Sequence, residues 1–239
     1  MKLKSLFKSR SKRSKAKKSF QSDQLVKQFE YMKDGGFDYD LYRAWQIRKA
    51  RKDELDNWAD EKTLGVISEY AKTKRGIFNH VICHGSKSGM EAVFLGERLN
   101  CPAFGTDLTP PPHAQNVVEW DFHERRDDWV GLASVMYTNS LDHAYDPKKA
   151  MDTWVEQLEP EGLIFIEHTM LSAPEAASFT DPFGAHPLVM PYLVLEWGGG
   201  RYCVTDVIKP PFRKPYWKPA GEVREDTDLD IWLFVVSRI

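Results

Sequence analysis

The chain is 239 residues long, the size of one α/β domain with extensions, and its 42% hydrophobic and 13% aromatic content is ample for a buried core. No apolar run reaches the roughly 20 residues of a membrane-spanning helix, and there is no secretory apolar segment. Cys83, Cys101 and Cys203 make neither a disulfide framework nor a metal-ligand spacing, so a reducing cytoplasm is the expected setting, and the net charge of −2 conceals a strong asymmetry.

Residues 1–18 carry nine of the 33 Lys and Arg residues and no acid, leaving 24 basic against 35 acidic residues in the remainder, a net of −11. A segment this charged, with serines and few apolar residues, is expected to be a disordered tail over residues 1–22. It reads either as a polybasic arm for nucleic acid or an anionic membrane surface, or as a solvated tail of no specific role. Only Phe7 and Phe20 interleave the charges, which weakens the RNA reading. From Gln24 to about Lys74 two helices are expected. The first half holds Phe29, Tyr31, Phe37, Tyr39, Leu41, Tyr42 and Trp45 and is broken by Gly35-Gly36. The second, roughly Leu55 to Tyr70, places Leu55, Trp58, Leu64, Val66, Ile67 and Tyr70 on one broad face.

The stretch from Asn79 to Asp107 organises the rest. Val81 to Cys83 is a short apolar run followed by Gly85 and Gly89, as in a buried parallel strand entering a tight turn. Met90, Val93, Phe94 and Leu99 follow at helical spacing, and Ala103-Phe104-Gly105 starts a second strand ending on Asp107, 22 residues past Gly85. Strand, glycine turn, helix, strand and acid make a nucleotide-cofactor half-site: glycines let backbone approach the ligand, and the acid can take two ribose hydroxyls. The dinucleotide pattern G-x-G-x-x-G fails at Lys87 and Met90. The phosphate loop lacks a glycine before Lys87, and a G-x-S-x-G elbow would need serine where Lys87 stands. What survives is G-x-x-x-G after a strand.

Val117 to Phe122 reads as a third strand carrying Asp121 and Phe122 at its end, and Trp129 to Tyr137 as a central strand leading into Thr138-Asn139-Ser140-Leu141-Asp142-His143. Asp146-Pro147 opens a helix with an N-cap and a proline at its favoured first position, and Ala150, Met151, Trp154, Val155 and Leu158 form its apolar stripe. Pro160-Glu161-Gly162 breaks it before a buried strand, Leu163 to Glu167. His168 to Pro187 is irregular, the kind of segment that carries substrate loops. Leu188 to Trp197 reads as a helix stopped by Gly198-Gly199-Gly200. Tyr202 to Ile208 and Ile231 to Ser237 read as two strands, joined by a linker rich in prolines and then acids.

The segment containing SVMYTNSLDHAYDPKKAMDTWVEQLEPEGLIFIEH resembles class I S-adenosylmethionine (SAM) methyltransferases of the type 11 kind. The likeness covers Phe78 to His168 well and the rest to Ile239 more loosely. It implies an α/β fold: a Rossmann-like, doubly wound, mostly parallel seven-stranded sheet with one antiparallel strand, plus an N-terminal helical extension. The expected division is a tail at 1–22, a helical cap at 23–75 and a SAM-binding domain at 76–239. Two positions depart from the family pattern: Cys83 stands where an acid commonly contacts the cofactor amino group, and Lys87 replaces the middle glycine.

By this resemblance Gly85 and Gly89 let the loop approach the methionyl part of SAM, Asp107 takes the ribose hydroxyls and Leu108 packs on the adenine. Asp121 would accept the adenine amino proton, unless it is a surface acid without a ligand, and Phe122 would offer a backbone N–H. Asn139 and Ser140 would face the methyl donor. Lys87 either sits near the cofactor carboxylate or points to solvent. His143, beside Asp142, is the candidate general base, though the acid–His pair is also a structural feature of the family; His168 and His186 are in reserve. No metal site is expected, since His80 and His84 lie four apart on a strand, about 13 Å. The expected function is cytoplasmic O- or N-methylation of a small molecule or glycan precursor. The competing reading is a catalytically silent module whose basic tail binds a polyanion; a nicotinamide-dependent reductase is disfavoured by the failed glycine pattern.

Overall fold

A computed structural model describes residues 25–52, 58–214 and 229–239. The basic tail, Leu55 and most of the proline- and acid-rich linker lie outside them. The chain opens with β1 (Val26–Gln28), β2 (Met32–Lys33), β3 (Gly36–Phe37), α1 (Tyr39–Lys52) and α2 (Glu61–Lys74). Then come β4 (Val81–His84), α3 (Met90–Leu99), β5 (Ala103–Asp107), β6 (Val117–Glu119), β7 (Ala133–Thr138), α4 (Pro147–Gln157) and β8 (Leu158–Thr169). The chain closes with β9 (Phe183–Ala185), α5 (Met190–Gly198), β10 (Tyr202–Ile208) and β11 (Ile231–Arg238).

Seven strands form one sheet in the order β10-β11-β8-β7-β4-β5-β6. Strands β6, β5, β4, β7 and β8 pair in parallel, and β11 runs antiparallel to both β8 and β10. The alternation of side chains along each strand supplies two cores. Ile82, Met136, Ile164 and Phe234 pack with Met151 and Trp154 of α4 and Met190 and Val194 of α5. Val81, Cys83, Val135, Tyr137 and Phe165 pack with Leu64 and Ile67 of α2 and Leu95 of α3. Apolar residues fill both faces, which is why these strands read as continuous apolar runs. Among the described residues no helix is long and apolar enough to cross a membrane.

Local chemistry sets the boundaries. The Asp146 carboxylate accepts from Lys149 N–H at 2.9 Å and Pro147 occupies the first turn of α4, as expected. Gly199, with φ 52°, ends α5. α2 begins later than the apolar pattern implies, because Asp60 caps it by accepting from Lys62 and Thr63 N–H. The segment before α1 is not helical. Asp34 and Gly35 have φ 52° and 83°, the two positive angles of a tight hairpin turn, so β2 and β3 pair, and β1 pairs with β9. β7 starts only at Ala133, since Gly131 turns at φ 69°. β6 stops at Glu119, and the Asp121 carboxylate accepts from His123 N–H in the turn beyond it. β8 runs from Leu158, earlier than the Pro160-Glu161-Gly162 break implies.

Candidate active site

The chain order reverses between β4 and β7: β4, β5 and β6 step one way, then β7 and β8 step the other. Ligands in open α/β sheets bind outside the carboxyl ends of the strands at such a point. A cavity of about 490 Å³ opens there, within the range of small-molecule sites. The loop after β4 contributes Gly85, Ser86 and Lys87, and the end of β5 contributes Asp107, Leu108 and Thr109. Phe122, Asn139, Ser140, Asp142 and His143 complete the sequence-derived part of the wall.

The glycine loop is built by close approach. Gly85 has φ 71°, and a Cβ on it would lie 2.4 Å from Ser140 Cβ and Oγ. Gly105 leaves room for the buried Ser86 hydroxyl, which a Cβ would approach to 1.9 Å. Lys87 takes φ 43°, so the backbone keeps a left-handed turn although the residue is not glycine. Its N–H donates to Asp107 Oδ2 at 3.1 Å, and Thr109 N–H donates to Oδ1 at 2.8 Å. These bonds aim the Asp107 carboxylate and leave each oxygen further acceptor capacity.

Two of the expected positions fall outside the wall. Gly89 has φ 85° and ends the loop at the start of α3, where its missing side chain admits Gln115 O, 2.0 Å from an ideal Cβ. Asp121 is buried elsewhere: His123 Nδ1 lies 2.7 Å from Oδ1, and Tyr39 OH donates to Oδ2 at 2.8 Å. Burial works against its charge, but the His123 bonds win and hold the carboxyl below its ordinary range. Tyr39 and His123 thus meet the carboxylate outside the cavity wall, where Asp121 was expected to meet the adenine amino group. His168 is also occupied, bonded through Nε2 to Ala185 O at 2.9 Å, and burial lowers it to about 4.

The rest of the wall comes from side chains that the sequence did not single out, several of them in the expected helical cap and in the irregular segment after His168. Tyr42, Gln46, Lys49 and Ala50 of α1 line the cavity, as do Trp58, Glu91, Glu167 and Asp181. Lys49 Nζ lies 2.8 Å from His143 Nε2 and is ion-paired with Asp181. Asp142, His143 and Asp181 bring ligand atoms within 4.8 Å of one another, yet the Lys49 ammonium is the cation among them. Burial opposes ionisation of Asp181, but His143 and Lys49 hold its carboxyl well below the usual range. Burial pushes the Asp142 carboxyl up, against the pull of His143. Ser172 Oγ donates to Asp142 Oδ2 at 3.0 Å, whereas Oδ1 is buried without a hydrogen-bond partner among the described residues.

No protein-family model matches the chain, and no curated protein matches it in sequence. Solved structures do. It is similar to 1,6-didemethyltoxoflavin-N1-methyltransferase from Burkholderia thailandensis, whose structure holds 1,6-didemethyltoxoflavin and S-adenosylhomocysteine (SAH), with a TM-score of 0.57 at 14% identity over 83% of this chain and 87% of that one. The N-methyltransferase NodS from Bradyrhizobium japonicum, in complex with SAH, gives 0.52 at 12% identity over 82% and 97%. A SAM-dependent methyltransferase from Geobacter sulfurreducens, also with SAH, gives 0.50 at 15% identity over 82% and 98%. At such identities the likeness is one of architecture, and the chain has the class I SAM-dependent methyltransferase fold.

Proposed function

We propose that the protein is a SAM-dependent methyltransferase that methylates oxygen or nitrogen on a small molecule or glycan precursor. The observation that carries this reading is the Asp107 carboxylate, aimed into the cavity by two backbone N–H groups beside the Gly85 turn. Its remaining lone pairs suit two ribose hydroxyls, with Leu108 and Phe122 as apolar neighbours for a base. A Cβ at Gly85 would be driven into Ser140, so the loop can come close to a ligand only with glycine there. When bound, SAM supplies a methyl group activated by its sulfonium charge. SAH in three architectural neighbours supports that choice of cofactor.

The protein's part is to hold the acceptor and collect its proton. Asp142 Oδ1 is the better base of the expected pair, since it lacks a donor among the described residues and burial has raised its basicity. His143, tied to Lys49 and with Nε2 3.8 Å from Asp142 Oδ1, closes the wall beside that carboxylate. Incubation with methyl-labelled SAM and a fractionated extract is expected to move label into the low-molecular-weight fraction. Asp142→Asn is expected to slow that transfer by about 10²–10⁴-fold. Label carried only by protein or nucleic acid would count against the small-acceptor reading.

A further inference from the structure

Glu91 stands in the first turn of α3 directly behind the glycine loop, 3% exposed, yet it lines the cavity. Its neighbours in sequence, Met90, Ala92 and Leu95, pack in the core below, so an apolar residue would suit the same helix. Its Oε2 is buried without a hydrogen-bond partner among the described residues. An unmet buried acceptor is destabilising, and the fold alone gives no reason to carry one here. β4 itself brings no acid to this end: Cys83 is a buried thiol, and the His84 ring is bonded to Thr106 and Gln157.

We propose that Glu91 is the recognition group for the α-ammonium of the ligand's amino-acid end, an assignment that rests on the SAM reading. The charges around it favour a cation. Glu167 from β8 and Asp107 from β5 add negative potential, Lys214 offsets part of it, and Cys83 and Tyr137 are held neutral by burial. Burial pushes the Glu91 carboxyl up to about 8, against the pull of its own backbone N–H. At pH 7 the group is therefore mostly protonated, and an arriving ammonium would ionise it and release a proton.

The test is calorimetric titration of the full-length protein with two probes, SAH and 5′-methylthioadenosine, which keeps the nucleoside and sulfur but lacks the amino-acid end. Glu91→Gln is expected to weaken SAH binding about 10–100-fold and leave methylthioadenosine binding unchanged. Wild type at pH 7 should also release a proton on binding SAH, read as a dependence of the heat on buffer ionisation, and the variant should not. Equal SAH affinity in the two proteins, or loss of both probes together, would overturn the Glu91 assignment. Failure of wild type to bind either probe would instead overturn the cofactor reading beneath it, and the assignment with it.

Discussion

Replacing Gly85 with alanine is expected to destabilise the protein by about 2–4 kcal/mol and to remove ligand binding. Two costs combine. The left-handed backbone at φ 71° penalises any L side chain by about 1–2 kcal/mol, and the new methyl group would sit 2.4 Å from Ser140. Ser140 has little freedom to retreat, because its N–H donates to Thr138 Oγ1 at 3.0 Å at the end of β7. Relief must come from shifting the β4 loop or the turn after β7, and both line the cavity. Gly131→Ala is the control: its φ is 69°, but nothing lies within 4 Å of the added Cβ. Denaturant unfolding of both variants separates the costs. Equal losses would show that close approach to Ser140 is not what demands glycine at 85.

The second large effect lies at the edge of the cavity. Lys214 Nζ donates to Glu167 Oε1 at 2.8 Å, and both residues are buried. Tyr137 OH and Trp58 Nε1 also donate to that carboxylate, at 2.7 and 3.1 Å, and Lys214 lies over the Trp58 ring at 4.7 Å. Lys214→Met keeps the apolar stem but leaves Glu167, among the described residues, with neutral donors alone, a loss expected to cost about 3–5 kcal/mol. Adding Glu167→Gln should recover most of it, since the buried charge is then gone. A loss that the double variant does not recover would show that packing over Trp58, and not the charge, is what Lys214 supplies.

The β4–α3–β5 unit was legible because its signals are local: an apolar run, two glycines and an acid at a fixed distance. The helix at Asp146-Pro147 and the glycine stop after α5 were legible for the same reason. The hairpin at Asp34-Gly35 carried a readable signal too, but the surrounding aromatics resembled a helical stripe and masked it. What sequence could not supply was convergence. Lys49 and Asp181 lie far from His143 along the chain and meet it only once α1 is laid over the sheet. Asp121 stood at the right strand end for a ligand contact, yet Tyr39 and His123 engage its oxygens in the fold. Glu91 did leave a trace, as one acid in the otherwise apolar run MEAVFL. Reading it as a site residue requires knowing which face of α3 meets the cavity.

The proposed activity requires that the cavity at the ends of β4 and β5 hold SAM through Asp107. Calorimetric titration of the purified protein with SAH, beside Asp107→Ala, tests this most directly. The prediction is micromolar binding by wild type and a loss of about 100-fold or more in the variant, as expected for two hydrogen bonds to a charged acceptor. Absence of binding by wild type, or equal affinity in the two proteins, would contradict it.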